Sequence, residues 1–252
     1  ALILGNAGTT GGILNYVGAG ETSDRLIQIN TTTGTTQIIA DGSGPLILSN
    51  LQNSGATGAK SLALRGVSNF ANEITSDLNN DSGGGVLSLV RDTAGTWILS
   101  GNNGYTGGTS LSSGGFLGVG SDSALGGFGG TPGTLTLTAG TMFAAGGDRT
   151  ISNPVTFSGT NTSIAAFVGE HSLTFAGNWA DGTTTSLGRV LRNNIISGKT
   201  LILNGNYTYT SVTSSASGGV TIDGSGDTLI NGNISQNTGL AGNTATGLMG
   251  VV

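Results

Sequence analysis

The 252-residue chain has no cysteine, only three prolines and a single histidine, and just 8% of its residues are charged and 5% aromatic. Without cysteine it forms neither a disulfide framework nor a thiolate metal site, although this alone does not fix a compartment. Eight scattered Lys and Arg residues and a net charge of −5 leave no cationic surface for phosphates, so nucleic acid is not expected as a partner. No apolar run approaches the roughly 18 residues needed to span a bilayer. The opening ALILGNAGTT has neither a basic start nor a cleavage pattern. The long helix formers Lys, Glu, Arg and Gln are scarce, and Thr, Ser and Asn stand in their place, which favours strands and tight corners.

What is abundant is glycine, with 48 residues, against a usual level of about 7%. There is no period of three, which excludes collagen, and Val, Ile, Leu and Phe recur too regularly for disorder. A short alternating strand ending in a Gly or Asn turn repeats along the chain: ALILGN (1–6), LILSN (46–50), LALRG (62–66), WILSG (97–101), LTLTAG (135–140), VTFSG (155–159), LTFAG (173–177) and LILNG (201–205). No single unit buries enough apolar surface to offset its ordering entropy, so each must stack on neighbours. The expected fold is an all-β parallel β-helix, one repetitive solenoid domain over 1–252, with coils of about 20 to 25 residues and roughly ten to twelve of them.

Alternation sends Leu62 and Leu64, Leu135 and Leu137, Val155 and Phe157, Leu173 and Phe175, and Leu201 and Leu203 inward. Arg65, Thr136, Thr156 and Thr174 face outward. The GG, NG, GSG and NNG turns are expected to supply positive φ at coil corners. A β-sandwich of this length would show evenly spaced hairpin turns and more aromatics, and a propeller would show regular blades of about 40 residues, which are not found.

Residues 95–120, GTWILSGNNGYTGGTSLSSGGFLGVG, pack strand, turn, strand, turn, strand without helical periodicity. The run resembles the autotransporter-associated β-strand repeat, or passenger-associated transport repeat: a GTLTLSG strand, an N-x-Y-x-G-G-T turn and a GGTLxVG strand. Gly101, Tyr105, Gly107, Gly108, Thr109, Gly114 and Gly115 hold its structural positions, and the flanks 58–97 and 135–159 are similar to the segments around that motif. Trp97 stands for a Leu, Phe116 for a Thr, and Arg91-Asp92-Thr93 for the common K-T-G. The resemblance implies a right-handed parallel β-helix in a secreted or surface-attached bacterial protein, a stalk, adhesin or passenger rod without catalytic residues or cofactor.

Candidate chemistry is sparse. His171, next to Glu170, lies in the strand-like run FVGEHSLTF where neighbours face opposite sides, so nothing local brings a nucleophile and a carboxylate onto it as a triad, and the thirteen Asp and Glu residues are spread singly rather than paired for glycoside chemistry. Asp223-Gly-Ser-Gly-Asp227 is similar to a calcium nonapeptide turn but occurs once, so an Asx-capped glycine turn is expected and no metal is assigned. GAGE (18–21) and GGTPGT (129–134) precede no helix that could receive a phosphate.

Two surface features stand out. Trp179, Tyr207 and Tyr209 are candidate glycan contacts, borne on loops 178–188 and 206–219, while Trp97 and Tyr105 are expected to pack at corners. Ile3, Ile47, Ile98 and Ile202 occupy outward positions where other strands carry Thr, Ala or Arg, which makes them a candidate lateral contact in a fibre. Neither ALILGNAGTT nor NTATGLMGVV carries a charged or helical cap, so further repeats or head-to-tail stacking of copies is expected. The function expected is that of an extracellular structural rod whose partners are itself, more repeats, or surface glycans. An adhesin working through its loops is the alternative, and a polysaccharide-active enzyme is the third class.

Overall fold

The computed structural model describes residues 1–159, 163–182, 188–209, 219–236 and 250–251. Its strands pair in parallel into two ten-stranded sheets, one running from Ile13–Tyr16 to Ile234–Gln236 and the other from Glu21–Ser23 to Gly250–Val251. Successive neighbours in each sheet are successive turns of the chain, so the fold is a β-solenoid of about nine turns. In the first sheet a coil takes from 20 residues, between Leu89 and its partner Thr109, to 28, between Trp179 and Tyr207. Coils at the long end of this range are why the turns are fewer than the ten to twelve expected. At about 4.8 Å per coil the rod is about 45 Å long.

The alternation read from the sequence sets the core. Leu62, Leu64, Leu135, Leu137, Val155, Phe157, Leu173, Phe175, Leu201 and Leu203 are all buried. Stacking in register places like on like, as in Leu135 on Val155 and Leu137 on Phe157, with Thr136 on Thr156 on the outer face. Phe157, Phe167, Phe175, Trp179 and Tyr207 fill the lower core, the Phe175 and Trp179 rings meeting edge-on at 5.0 Å.

The third face is discontinuous. Three strands, Leu2–Leu4, Ile27–Ile29 and Leu51–Gln52, cover it at one end, and four, Arg149–Ile151, Leu173–Phe175, Thr200–Leu203 and Asp227–Ile230, at the other. Between them the backbone ladder lapses and buried asparagines carry the load. The Asn103 side chain accepts from Leu78 N at 2.7 Å and donates to Ala124 O at 2.6 Å, joining three coils. Asn53 donates to Asn79 O, and Asn153 to Leu125 O and Gly133 O.

At one corner a column of glycines is forced by closeness. A Cβ on Gly177 would lie 2.1 Å from Asn153 O, one on Gly205 2.0 Å from Gly177 O, and one on Gly232 2.0 Å from Gly205 O. These strand-ending glycines therefore answer to backbone approach rather than to the positive φ expected of them. Positive φ is met elsewhere, as at Gly66 and Gly224.

Three basic residues are buried. Lys60 and Asp81 pair at 3.2 Å with side chains 0% and 2% exposed. Burial alone would raise the Asp81 carboxyl, but the N–H groups of Gly85 and Gly58 and the Lys60 ammonium outweigh it and hold it below its ordinary value. Arg91 donates to the carbonyls of Leu64, Ala94 and Gly95 and to Thr93 Oγ1. Loss of water lowers its pKa to about 10. Arg189 and Asp181 pair at 2.8 Å, both 1% exposed.

Two outcomes follow. Asn103→Ala leaves a buried N–H and a buried C=O unpaired and lowers unfolding stability by about 2–4 kcal/mol, measurable by chemical denaturation. Asp81 and Asp92 carry depressed folded values, Asp92 chiefly through its hydrogen bond from Arg65. Their contribution is complete above the unfolded carboxylate value of about 4 and is lost as pH falls through the folded values. The melting temperature should hold from neutral pH to about pH 5 and drop below about pH 4, with a shallower acid limb in Asp92→Asn.

Candidate functional site

The motif residues build one turn. Tyr105 is fully buried, and its hydroxyl lies 2.6 Å from Thr109 Oγ1, on the first residue of the next strand, Thr109–Leu111. Burial pushes the Tyr105 phenol far above its ordinary range. Gly108 and Gly114 adopt φ of +81° and +67°. Gly101, Gly107 and Gly115 press on backbone, and a Cβ on Gly115 would also lie 2.8 Å from the Arg91 guanidinium carbon. Trp97 is buried within the strand Thr96–Leu99 rather than at a corner, its indole N–H donating to Arg65 O at 2.9 Å. The motif is structural throughout.

Two of the candidate glycan contacts are internal. Trp179 and Tyr207 are 1% and 2% exposed, in neighbouring strands of the first long sheet. Their residue parity puts them on the core face, which the reading of the runs as loops missed. Tyr207 donates to Asp181 Oδ1 at 3.0 Å, and its phenol is pushed well above the ordinary value by burial and then by the Asp181 charge. Arg189 closes this cluster, with its guanidinium carbon 5.8 Å from the Phe157 ring centre. Tyr209 is half-buried. The remainder of the two loops, 183–187 and 210–218, lies outside the described residues, as does the C-terminal run apart from 250–251.

The four isoleucines do face outward, but on different surfaces. Ile3 and Ile202 sit on the third face near opposite ends of the rod. Ile47 and Ile98 share the second long sheet, with Glu73 between them in register. Ile98 is half-covered by its own chain: Gly118 follows it and Phe143 follows Gly118, and both side chains come within 2.8 Å of where a Gly118 Cβ would be. No flat contact takes all four.

Other charges pair on the surface. Arg192 holds Asp223 at 2.7 Å, and that hydrogen bond is the chief cause of the lowered Asp223 pKa. The carboxylate is thereby engaged as part of a glycine turn, with Gly224 at φ +109°. His171 lies 3.8 Å from Asp148, which also holds Lys199 at 2.9 Å. Among the described residues, no three of His, Asp and Glu gather in a way that could hold a metal ion.

Open concavity is concentrated where the third face lapses. One cleft of about 680 Å³ is lined by residues 49–54 and 75–82, including Gln52, Asp77, Asn79 and Ser82. A second of about 600 Å³ is lined by Asn102, residues 121–132 in part, Arg149 and Ser152. The two touch where Asn102 N donates to Asp77 Oδ1 at 2.7 Å. Phe128, 60% exposed, stands in the second. Sequence reading passed over this surface because its residues look like ordinary turn formers; the Gly-Gly-Phe-Gly-Gly run at 126–130 was its one visible signal.

No family model matches the chain, and no solved structure matches it. Over 138 residues, 54% of its length, it is 34% identical to the adhesin BmaC autotransporter of Brucella suis biovar 1 (strain 1330), and it spans 4% of that protein's length. Together with the solenoid, this fits an autotransporter passenger repeat.

Trp179→Ala should lower unfolding stability by about 3–5 kcal/mol through the cavity it leaves, read by thermal and chemical denaturation. A Trp179 serving a surface ligand would instead leave the melting transition in place.

Proposed function

We propose that the chain is a length of passenger rod from a secreted or cell-surface bacterial protein, and that residues 95–120 are a member of the autotransporter-associated repeat. The observation that carries this is the pair of ten-stranded parallel ladders running through the described chain, supported by the similarity to an autotransporter adhesin. The rod holds distance: its core is stacked Leu, Val, Ile and Phe, and its outer faces are left for contact. The role is non-catalytic, which agrees with a solenoid related to an adhesin. No helix of the described residues is long and apolar enough to cross a membrane.

A second reading, lateral self-association, is favoured by one observation. Phe116, 38% exposed, sits in the same sheet as the outward Ile98 and Phe143. This smaller patch replaces the four-isoleucine stripe as the contact for another copy of the chain. Ile98→Thr combined with Phe116→Ser should abolish concentration-dependent association in sedimentation velocity. A wild-type chain that stays monomeric at every concentration excludes this reading.

For the first reading, small-angle scattering of the purified chain should return an elongated particle. Protease shaving of intact cells producing the parent protein should remove the epitope of an antiserum raised against this chain; an epitope protected until lysis overturns the surface assignment.

A further inference from the structure

We propose that the two clefts of the third face form one continuous site for a neutral oligosaccharide. The proposal deepens the passenger-rod reading and rests on it only in that this face must be open to its surroundings.

The placement follows from the lapse of the third sheet. Where strands are present, backbone ladders close the face; between Gln52 and Arg149 they do not, and turns of Ser, Asn, Asp and Gly take over. The clefts lie along the rod axis and meet at the bond from Asn102 to Asp77. Together they run over five coils, from that of Gln52 to that of Ser152, roughly 20 Å at the strand spacing. One coil rise is close to the advance of an extended pyranose unit, so polar groups repeated coil by coil meet hydroxyls repeated sugar by sugar.

The lining has the chemistry for this. Several of its polar groups are already fixed by internal bonds, which sets their direction. Gln52 Nε2 donates to Asn50 Oδ1, leaving Oε1 to accept, and Asp77 Oδ1 and Asp122 Oδ1 accept from Asn102 N and Thr150 N, leaving each second oxygen free to accept. The result is a rigid set of acceptors and amides whose directions do not have to be ordered on binding.

Phe128 supplies the apolar component. Its ring is 60% exposed on a turn whose Gly129 and Gly130 face open space, so a sugar ring can approach its face and lay C–H groups on it. Asn102, Asp122 and Ser152 line the same cleft. A cleft that combines an exposed aromatic with hydroxyls, amides and a carboxylate suits an amphipathic pyranose better than a purely apolar or purely ionic ligand.

Charge narrows the class. Asp77 and Asp122 both line the site, and its one cation, Arg149, has Nε and Nη2 turned back on Ala145 O at 3.1 and 2.8 Å. With a net charge of −5 over the chain, uronic or sulfated glycans are disfavoured.

The test is titration calorimetry of the purified chain with cellohexaose, maltohexaose and mannohexaose, and with a heparin hexasaccharide as the anionic probe. At least one neutral hexasaccharide should bind. Phe128→Ala should weaken it about tenfold while leaving the circular dichroism unchanged. Phe70→Ala, which removes an exposed ring that lines neither cleft, should bind as wild type. No binding of any neutral probe, binding of heparin alone, or full affinity in Phe128→Ala each overturns the assignment. None of these outcomes bears on whether the chain is displayed at the surface, so this proposal and the passenger reading fail separately.

Discussion

The structure depends on one geometric constraint: each turn of the chain must come back one strand spacing above where it began, in register with the turn below. The parallel ladders satisfy backbone donors and acceptors only when this holds. In-register stacking then makes the core a set of columns, so that the fit of Leu135 is decided by Val155 and Thr109 rather than by its neighbours in sequence. It also explains why coil length varies while strand pairing does not. The difference between a 20-residue and a 28-residue coil is absorbed at the corners, where extra residues need satisfy no ladder.

Polar side chains enter the interior where that constraint is met imperfectly. Asn103 does with one amide what two ladder bonds do elsewhere, accepting from the coil before and donating to the coil after. The buried Lys60–Asp81 and Arg189–Asp181 pairs, and the carbonyl-bound Arg91, lie inside the same tube. Pairs of this kind add little net stability over well-packed apolar groups, because desolvation offsets their attraction, but losing one partner exposes the other to the full penalty. They therefore act mainly against misregister: a coil shifted by one residue would strand a charge.

Much of this was legible in the chain. Runs such as LTL, VTF and LTF gave the inward face residue by residue because a pleated strand has a period of two and one side must be apolar. The third face was less legible, since Asn53, Asn103 and Asn153 are the same residue types that make exposed turns, and only tertiary stacking converts them into core. Charge was illegible in the same way: nothing in the sequence marks Lys60, Arg91 and Arg189 as buried, yet the fold brings oxygen acceptors to each. Trp179 and Tyr207 were mistaken for surface rings because flanking polar residues mark a loop and an alternating strand alike. Of the cleft, the exposed Phe128 between paired glycines was visible in the sequence, but the adjacency of residues 49–54, 75–82 and 121–132 was not.

The direction of the ladder bonds has a mechanical meaning. They lie along the rod axis, so tension applied end to end passes through every coil interface in series, and a terminal coil, held from one side only, gives way a few bonds at a time, as in a zipper pulled open rather than a lap joint sheared. Each coil that peels away frees 20 to 28 residues in the first long sheet, about 70–90 Å of extended chain from a unit that had occupied about 5 Å. A rod built this way lengthens under load in steps of one coil, and the coils beyond the peeling point keep their shape.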